Sequence, residues 1–171
     1  ATYDGKEHEA VGVETYEFTV EGNSYTVSGL STEDPKQKDA GSYTNNITGT
    51  PVVTDKEGNV VTSEFEVKTE NGSLEIGKAA VTLKSATLSK KYDGNALVNG
   101  DTALEVESGF AEGEGATYNF TGSQTVVGSS ANAFSYELNS NTNIDNYAIS
   151  KQEGTLTVTN REAKYEITVK A

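Results

Sequence analysis

No cysteine occurs anywhere in the 171 residues, so no disulfide can staple the fold. Small domains of oxidising compartments often depend on such staples. Their absence places the protein in a reducing compartment or in a lineage that stabilises exported domains by other means. Basic residues are scarce too, 13 Lys and Arg against 26 Asp and Glu, for a net charge of −13. That charge repels phosphate backbones and anionic headgroups over a Debye length, so nucleic acid is not an expected partner. Long apolar runs are missing as well. The longest span a few residues, far short of the ~20 needed to cross a bilayer, and no membrane insertion is expected. The opening Ala1-Thr2-Tyr3 has neither the basic start nor the apolar stretch of an export signal, so a removed signal or, preferably, an excerpt from a longer protein is expected. Finally, no segment holds an apolar 3.6 period for the length of a helix, which leaves strands.

What is present is alternation. Hydrophobic content is 34%, much of it Tyr, Val, Thr-flanked Ile and Phe, which suits half-buried strands. Tyr16, Phe18 and Val20 are predicted on one strand face, and residues 15–28 read as a hairpin turning at Glu21-Gly22-Asn23-Ser24. A second hairpin is predicted from Pro51-Val52-Val53-Thr54 to Val60-Val61-Thr62 around Asp55-Lys56-Glu57-Gly58-Asn59. Phe65 and Val67, then Leu74 and Ile76, are expected to form an antiparallel pair. Further strands are marked by Val81 and Leu83, Leu88, Leu104 and Val106, Tyr118 and Phe120, Phe134, Tyr136 and Leu138, Tyr147 and Ile149, and Leu156 and Val158.

The chain also repeats itself. Tyr3-Asp4-Gly5 returns as Tyr92-Asp93-Gly94, 89 residues on, and Gly72-Ser73-Leu74-Glu75-Ile76 returns as Gly154-Thr155-Leu156-Thr157-Val158, 82 residues on. Between them, Ser24-Tyr25-Thr26-Val27-Ser28-Gly29 is matched to Ala116-Thr117-Tyr118-Asn119-Phe120-Thr121-Gly122 with one residue of slippage. A period of roughly 85 exceeds the 20–50 residues of solenoid units, so each copy should hold its own core. The expected boundaries are 1–79 for the first repeat, 80–160 for the second, and 161–171 for the start of a third repeat or a terminal strand. The second copy has a leader strand, residues 81–88, before its Tyr-Asp-Gly, whereas only Ala1-Thr2 precedes the first. Ala163-Lys164-Tyr165-Glu166-Ile167-Thr168-Val169 stands where a third leader would fall. An unpaired edge or open core is therefore expected in the first copy, relieved by pairing with a neighbouring chain.

Lys91-Tyr92-Asp93-Gly94, residues 127–136 from Val127-Gly128-Ser129 to Phe134-Ser135-Tyr136, Asp145-Asn146-Tyr147-Ala148-Ile149, and Glu153-Gly154-Thr155-Leu156-Thr157-Val158-Thr159 together resemble the MBG or YDG-type Ig-like tandem repeats of bacterial surface proteins, including adhesin-like ones. The first copy keeps Tyr3-Asp4-Gly5, Asp39-Ala40-Gly41-Ser42-Tyr43 and Gly72-Ser73-Leu74-Glu75-Ile76, but has Thr62-Ser63-Glu64-Phe65 where Asp-Asn-Tyr is expected. The resemblance implies an all-β protein of two tandem Ig-like sandwiches, each of about seven short antiparallel strands, with β-grasp-like modules as the structural alternative. It implies an extracellular place at the bacterial surface or cell wall and a stalk or spacer role, the partners being neighbouring repeats. A module that itself binds a glycan or protein through loops at one end is the functional alternative.

No residue set reads as catalytic, cofactor-binding or metal-binding, and a non-enzyme without cofactors is expected. Tyr-Asp-Gly reads as turn chemistry, with Asp bonding its own downstream backbone and Gly taking positive φ. His8, the single histidine, lies among Glu7 and Glu9 with no partner for zinc, and reads as a solvated loop residue. Glu112-Gly113-Glu114-Gly115 and Asn143-Ile144-Asp145-Asn146 carry the hard oxygens calcium prefers but lack EF-hand spacing. Lys84 and Asn146 are considered as partners in an intramolecular amide bond, against the plainer reading of a strand lysine as solvent face. Asn46, Asn71 and Asn119 fit the glycosylation sequon, a match read as idle for a bacterial protein.

Overall fold

The computed structural model describes residues 1–13 and 16–171 and is all-β, with two short 3-10 turns and no α-helix among the described residues. It divides into two compact units, Ala1–Gly77 and Lys78–Ala171. The first contains β1 (His8–Glu9), β2 (Glu17–Val20), β3 (Asn23–Thr32), β4 (Lys36–Gln37), β5 (Gly41–Asn45), β6 (Ile47–Asp55) and β7 (Gly72–Ile76). The second contains β8 (Ala79–Lys84), β9 (Leu88–Lys91), β10 (Val106–Ser108), β11 (Ala116–Phe120), β12 (Gly128–Ala131), β13 (Phe134–Leu138), β14 (Tyr147–Gln152) and β15 (Thr155–Thr159).

In the second unit the leader is two strands separated by a bend. β8 lies between β10, antiparallel, and β14, parallel; β9 lies parallel to β15, whose other edge takes β12. β11 and β13 form a separate antiparallel pair. Period-two alternation buries Ala79, Val81 and Leu83, and the unit's other buried apolar residues are Leu156 and Val158 from β15, Phe134 and Tyr147. The bend is held by polar groups. Ser85, fully buried, donates its hydroxyl to the Asn132 carbonyl (2.7 Å) and accepts from the Gly154 N–H (2.9 Å). Gly154 must be glycine, because a Cβ there would sit 2.2 Å from the Ala86 carbonyl oxygen.

The expected strands of the second copy all fall within or beside observed ones, but not all pairings are antiparallel. β8 with β14 and β9 with β15 run parallel. Parallel neighbours need a long crossover, and here nearly the whole unit separates the first strands from the last, so the geometry is open to them.

The first unit has one sheet ordered β2-β3-β6 and two pairs, β5 with β7 and β1 with β4. The first expected hairpin is there, with Glu17 opposite Thr26 and positive φ at Glu21 and Gly22 making a two-residue turn; its predicted first residue, Thr15, lies outside the described residues. The inward face expected for Tyr16, Phe18 and Val20 is not covered: they remain 56%, 45% and 43% exposed. The second hairpin turns at Asp55, whose carboxylate accepts from the Glu57 and Asn59 N–H groups, with Gly58 at φ 89°. Its returning arm makes a single bridge, Val60 to Thr54, and then enters a 3-10 turn at Thr62–Glu64. The expected pairing of Phe65 and Val67 with Leu74 and Ile76 does not form. β7 pairs instead with β5, and no strand is assigned over residues 65–70. The core of this unit is correspondingly small, built on Tyr3, Val53, Leu74 and Ile76.

The matching of Ser24–Gly29 to Ala116–Gly122 is corrected in register. Thr32 faces Ile47, and Phe120 faces Phe134, each two residues past an asparagine, Asn45 or Asn132, so Leu30 rather than Tyr25 takes the place of Tyr118. The two glycines also differ: Gly29, at φ 81°, sits in a β-bulge between Ser28 and Leu30, absent from β11.

Leu83 has no exposed surface, so Leu83→Ala should cost the second unit about 2–5 kcal/mol in urea unfolding. Thr117→Ala, on an outward face, should stay within about 0.5 kcal/mol of the parent.

Candidate functional site

The two Tyr-Asp-Gly segments are superposable in their bonding. The Tyr3 N–H donates to the Gly77 carbonyl (2.8 Å) and the Tyr92 N–H to the Thr159 carbonyl (2.9 Å), each just past the unit's last core residue, Ile76 or Val158. Asp4 accepts from the Lys6 N–H and Asp93 from the Asn95 N–H, both at 2.9 Å, and Gly5 and Gly94 have φ of 77° and 83°. Tyr3 is buried and Tyr92 half-buried. In both copies Asp closes a turn on its own backbone and Gly supplies the left-handed residue.

Each aspartate also takes a side-chain donor. His8 Nε2 lies 3.0 Å from Asp4 Oδ1, and Lys90 Nζ donates to Asp93 Oδ1 at 2.9 Å. The Lys6 N–H, with His8 adding, holds the Asp4 carboxyl below its ordinary value of 3.8; the Lys90 ammonium and then the Asn95 N–H do so for Asp93. Far from being a solvated loop residue, His8 lies in β1 opposite Gln37, five residues past Tyr3. Leu97, five residues past Tyr92, bridges Gln124 in the same way, so histidine occupies a backbone-pairing position that a leucine fills in the other copy.

Two buried asparagines, missed in the sequence, tie each unit together. Asn45 Nδ2 donates to the Val11 carbonyl (3.2 Å) and Asp34 Oδ1 (3.1 Å), while its Oδ1 accepts from the Asp34 N–H (2.8 Å). Asn132 Nδ2 donates to the Ala86 carbonyl and to Asn99 Oδ1, both at 3.0 Å, and its N–H to the Gly154 carbonyl at 2.8 Å. Asn45 stands opposite Gly72, the counterpart of Gly154. The available signal was spacing, since Gly41-Ser42 and Gly128-Ser129 each precede an Asn by the same number of residues.

Where Thr62-Ser63-Glu64-Phe65 replaces the expected Asp-Asn-Tyr, the backbone enters the turn differently, Val61 at ψ 23° against Asn143 at ψ 121°, but leaves it in the same way. Both copies make a 3-10 turn that ends on an aromatic residue in extended conformation, Phe65 at φ −126°, ψ 146° and Tyr147 at φ −127°, ψ 148°. Each ring meets another edge-on, Phe65 with Tyr25 at 4.7 Å and Tyr147 with Phe110 at 5.2 Å.

The remaining sequence candidates are engaged in structure. Glu114 accepts the Tyr147 hydroxyl (2.6 Å), and the Gly113 carbonyl accepts from Asn141 Nδ2 (2.8 Å). Asn143 caps its own turn, accepting from the Asp145 N–H at 2.9 Å. Among the described residues no group of three or more His, Cys, Asp or Glu stands where it could share a metal ion. Lys84 and Asn146 are far apart. Lys84 pairs with Gln152, six residues beyond Asn146, which is roughly 20 Å along a strand, and its ammonium reaches Glu105 at 3.5 Å. Of the sequon asparagines, Asn46 and Asn71 bond each other (3.0 Å) and Asn119 faces out on β11. Burial, and after it the hydrogen bond and charge of the Glu107 carboxylate, push the pKa of the Tyr118 hydroxyl up, so it stays protonated.

One concave feature lies within the first unit, an open groove of about 1000 Å³ lined by Tyr16, Phe18, Val27, Leu30, Val67 and Leu74 among others. Its lining is mixed, with Glu9, Thr32, Asn45, Lys68, Glu70 and Glu75 beside the apolar side chains. Among the described residues, no helix is long and apolar enough to cross a membrane. No family model matches the sequence, and no curated protein or solved structure matches the chain.

Asn132→Ala should destabilise the second unit by about 1–3 kcal/mol, because the half-buried Ala86 carbonyl loses its side-chain donor; thermal unfolding reads this directly. The depressed Asp4 and Asp93 carboxyls stabilise the fold above the unfolded aspartate value near 3.9, and that stabilisation is lost as pH falls through their folded values. A pH series of melting temperatures should therefore show a shallower acid decline for Asp4→Asn/Asp93→Asn than for the parent, and identical slopes would refute the assignment.

Proposed function

We propose that the chain is a non-catalytic structural spacer, two tandem Ig-like sandwich repeats of an extracellular bacterial surface or cell-wall protein. The observation that carries this reading is where the repeated residues spend their bonds. Tyr-Asp-Gly closes the same turn in both copies, both 3-10 turns end on an extended aromatic residue, and Asn45 and Asn132, through different partners, each tie a strand end to a loop. A repeat selected for chemistry would be expected to aim equivalent side chains into a shared cavity; one selected for placement repeats its turns and clamps. The first strand of the second unit crosses from one sheet to another and runs parallel to the last strands, an arrangement compatible with Ig-like sandwiches.

A second reading, that the segment itself binds a glycan or protein, has one observation in its favour. Tyr16 and Phe18 are exposed along the groove of the first unit, and aromatic faces in a groove can stack on sugars.

A broad glycan panel at physiological salt should give no saturable binding. A saturable, sugar-specific signal lost in Tyr16→Ala would transfer the conclusion to the second reading. Intact mass should equal that of the translated sequence; loss of ammonia would reveal an amide crosslink between side chains other than Lys84 and Asn146.

A further inference from the structure

We propose that the groove of the first unit is a strand-accepting slot, and that residues 163–171 of a second copy of this chain fill it as β8 fills the corresponding place in the second unit. The proposal stands apart from the spacer reading, since either could fail without the other.

The slot is defined by comparing the two units. Residues 65–70 correspond to Tyr147–Gln152 without a gap. Both stretches begin on the extended aromatic residue that ends a 3-10 turn, Phe65 or Tyr147, with matching angles there, and both begin seven residues before the glycine of the last strand, Gly72 or Gly154. In the second unit all six residues pair in parallel with β8, from Tyr147 with Ala79 to Gln152 with Lys84. Among the described residues no strand pairs with residues 65–70. β2 holds the chain position of β10, the strand that pairs with the other side of β8, and no described strand lies along the outer edge of β2. Two unused backbone edges thus accompany one groove whose lining includes both Val67 and Phe18. Such edges readily accept an added strand.

The chain carries a segment of matching pattern. Ile167-Thr168-Val169-Lys170 repeats the apolar, threonine, apolar, lysine order of Val81-Thr82-Leu83-Lys84. Val81 and Leu83 are buried in the second unit, whereas Ile167 and Val169 are 84% and 91% exposed and Tyr165 is 58% exposed, in a stretch with no strand pairing. Transferring the β8 register sets Tyr165 beside Phe65, Ile167 beside Val67, Val169 beside Thr69 and Lys170 beside Glu70. The last pair is of opposite charge. Glu166 falls beside Glu66, where Lys68, 3.9 Å from Glu66, offsets the repulsion. Each copy then offers one acceptor and one donor, so insertion between copies is heterologous and propagates from chain to chain.

Sedimentation velocity of the full chain from micromolar to near-millimolar concentration should show reversible association. Ile167→Asp/Val169→Asp should abolish it without changing the far-ultraviolet circular dichroism, because both side chains are exposed. Register is read by disulfide capture, which the cysteine-free background makes clean. Lys68→Cys mixed with Thr168→Cys, counterparts of the Ser150 and Thr82 pair, should give a covalent dimer on mild oxidation, and Glu57→Cys mixed with Thr168→Cys should not. A monomer at every concentration, association that survives the double aspartate variant, or a Lys68→Cys/Thr168→Cys chain that closes on itself as a monomer would each overturn the proposal.

Discussion

A strand that is paired on both sides is the constraint on which the second unit depends. β8 satisfies its backbone against β10 and β14 at once, and its alternate residues Ala79, Val81 and Leu83 supply the buried face of the unit. Because the hydrogen-bonding edges and the apolar face belong to the same six residues, pairing and burial are gained together. The first unit shows the converse. Where no described residue takes the equivalent place, residues 65–70 form no strand, β2 leaves its aromatic face exposed, and a groove stands open.

Around that strand the structure uses polar groups sparingly and at bends. Ser85 satisfies two backbone groups where the leader turns from one sheet to the next, and Asn132 binds the carbonyl of the following residue, Ala86. The Ser85 hydroxyl and the Asn132 amide nitrogen favour one arrangement because a slip would cost them these hydrogen bonds. With no disulfide available, the burial of the core and these few clamps carry the stability of two small units.

Strand positions were largely legible because period-two alternation is local: Val81 and Leu83, Phe134 to Leu138, and Leu156 and Val158 mark elements found where expected. Turns were legible for the same reason, Asp55 and Gly58 or Asp93 and Gly94 carrying their own geometry. Partner choice was not. Phe65 and Val67 have a strand pattern, but a strand forms only against an edge, and the expected partner, β7, is paired with β5. Asn45 and Asn132 were overlooked because asparagine is ordinarily a surface residue, and burial depends on which loops close over it. His8 was read from its acidic neighbours, whereas its role is set by Gln37, nearly thirty residues away.

By itself, then, the sequence determined that this is an all-β chain, that Tyr-Asp-Gly occurs in it twice as turn chemistry, and that it holds no cysteine and one histidine, since alternation, turn chemistry and composition act over a few residues. Only the tertiary structure decided that the first and last strands of the second unit run parallel, that two asparagines are buried clamps, and that the first unit holds an open slot. Those features are set by which edges meet, and edges distant in sequence meet through pairing and burial that no local pattern encodes.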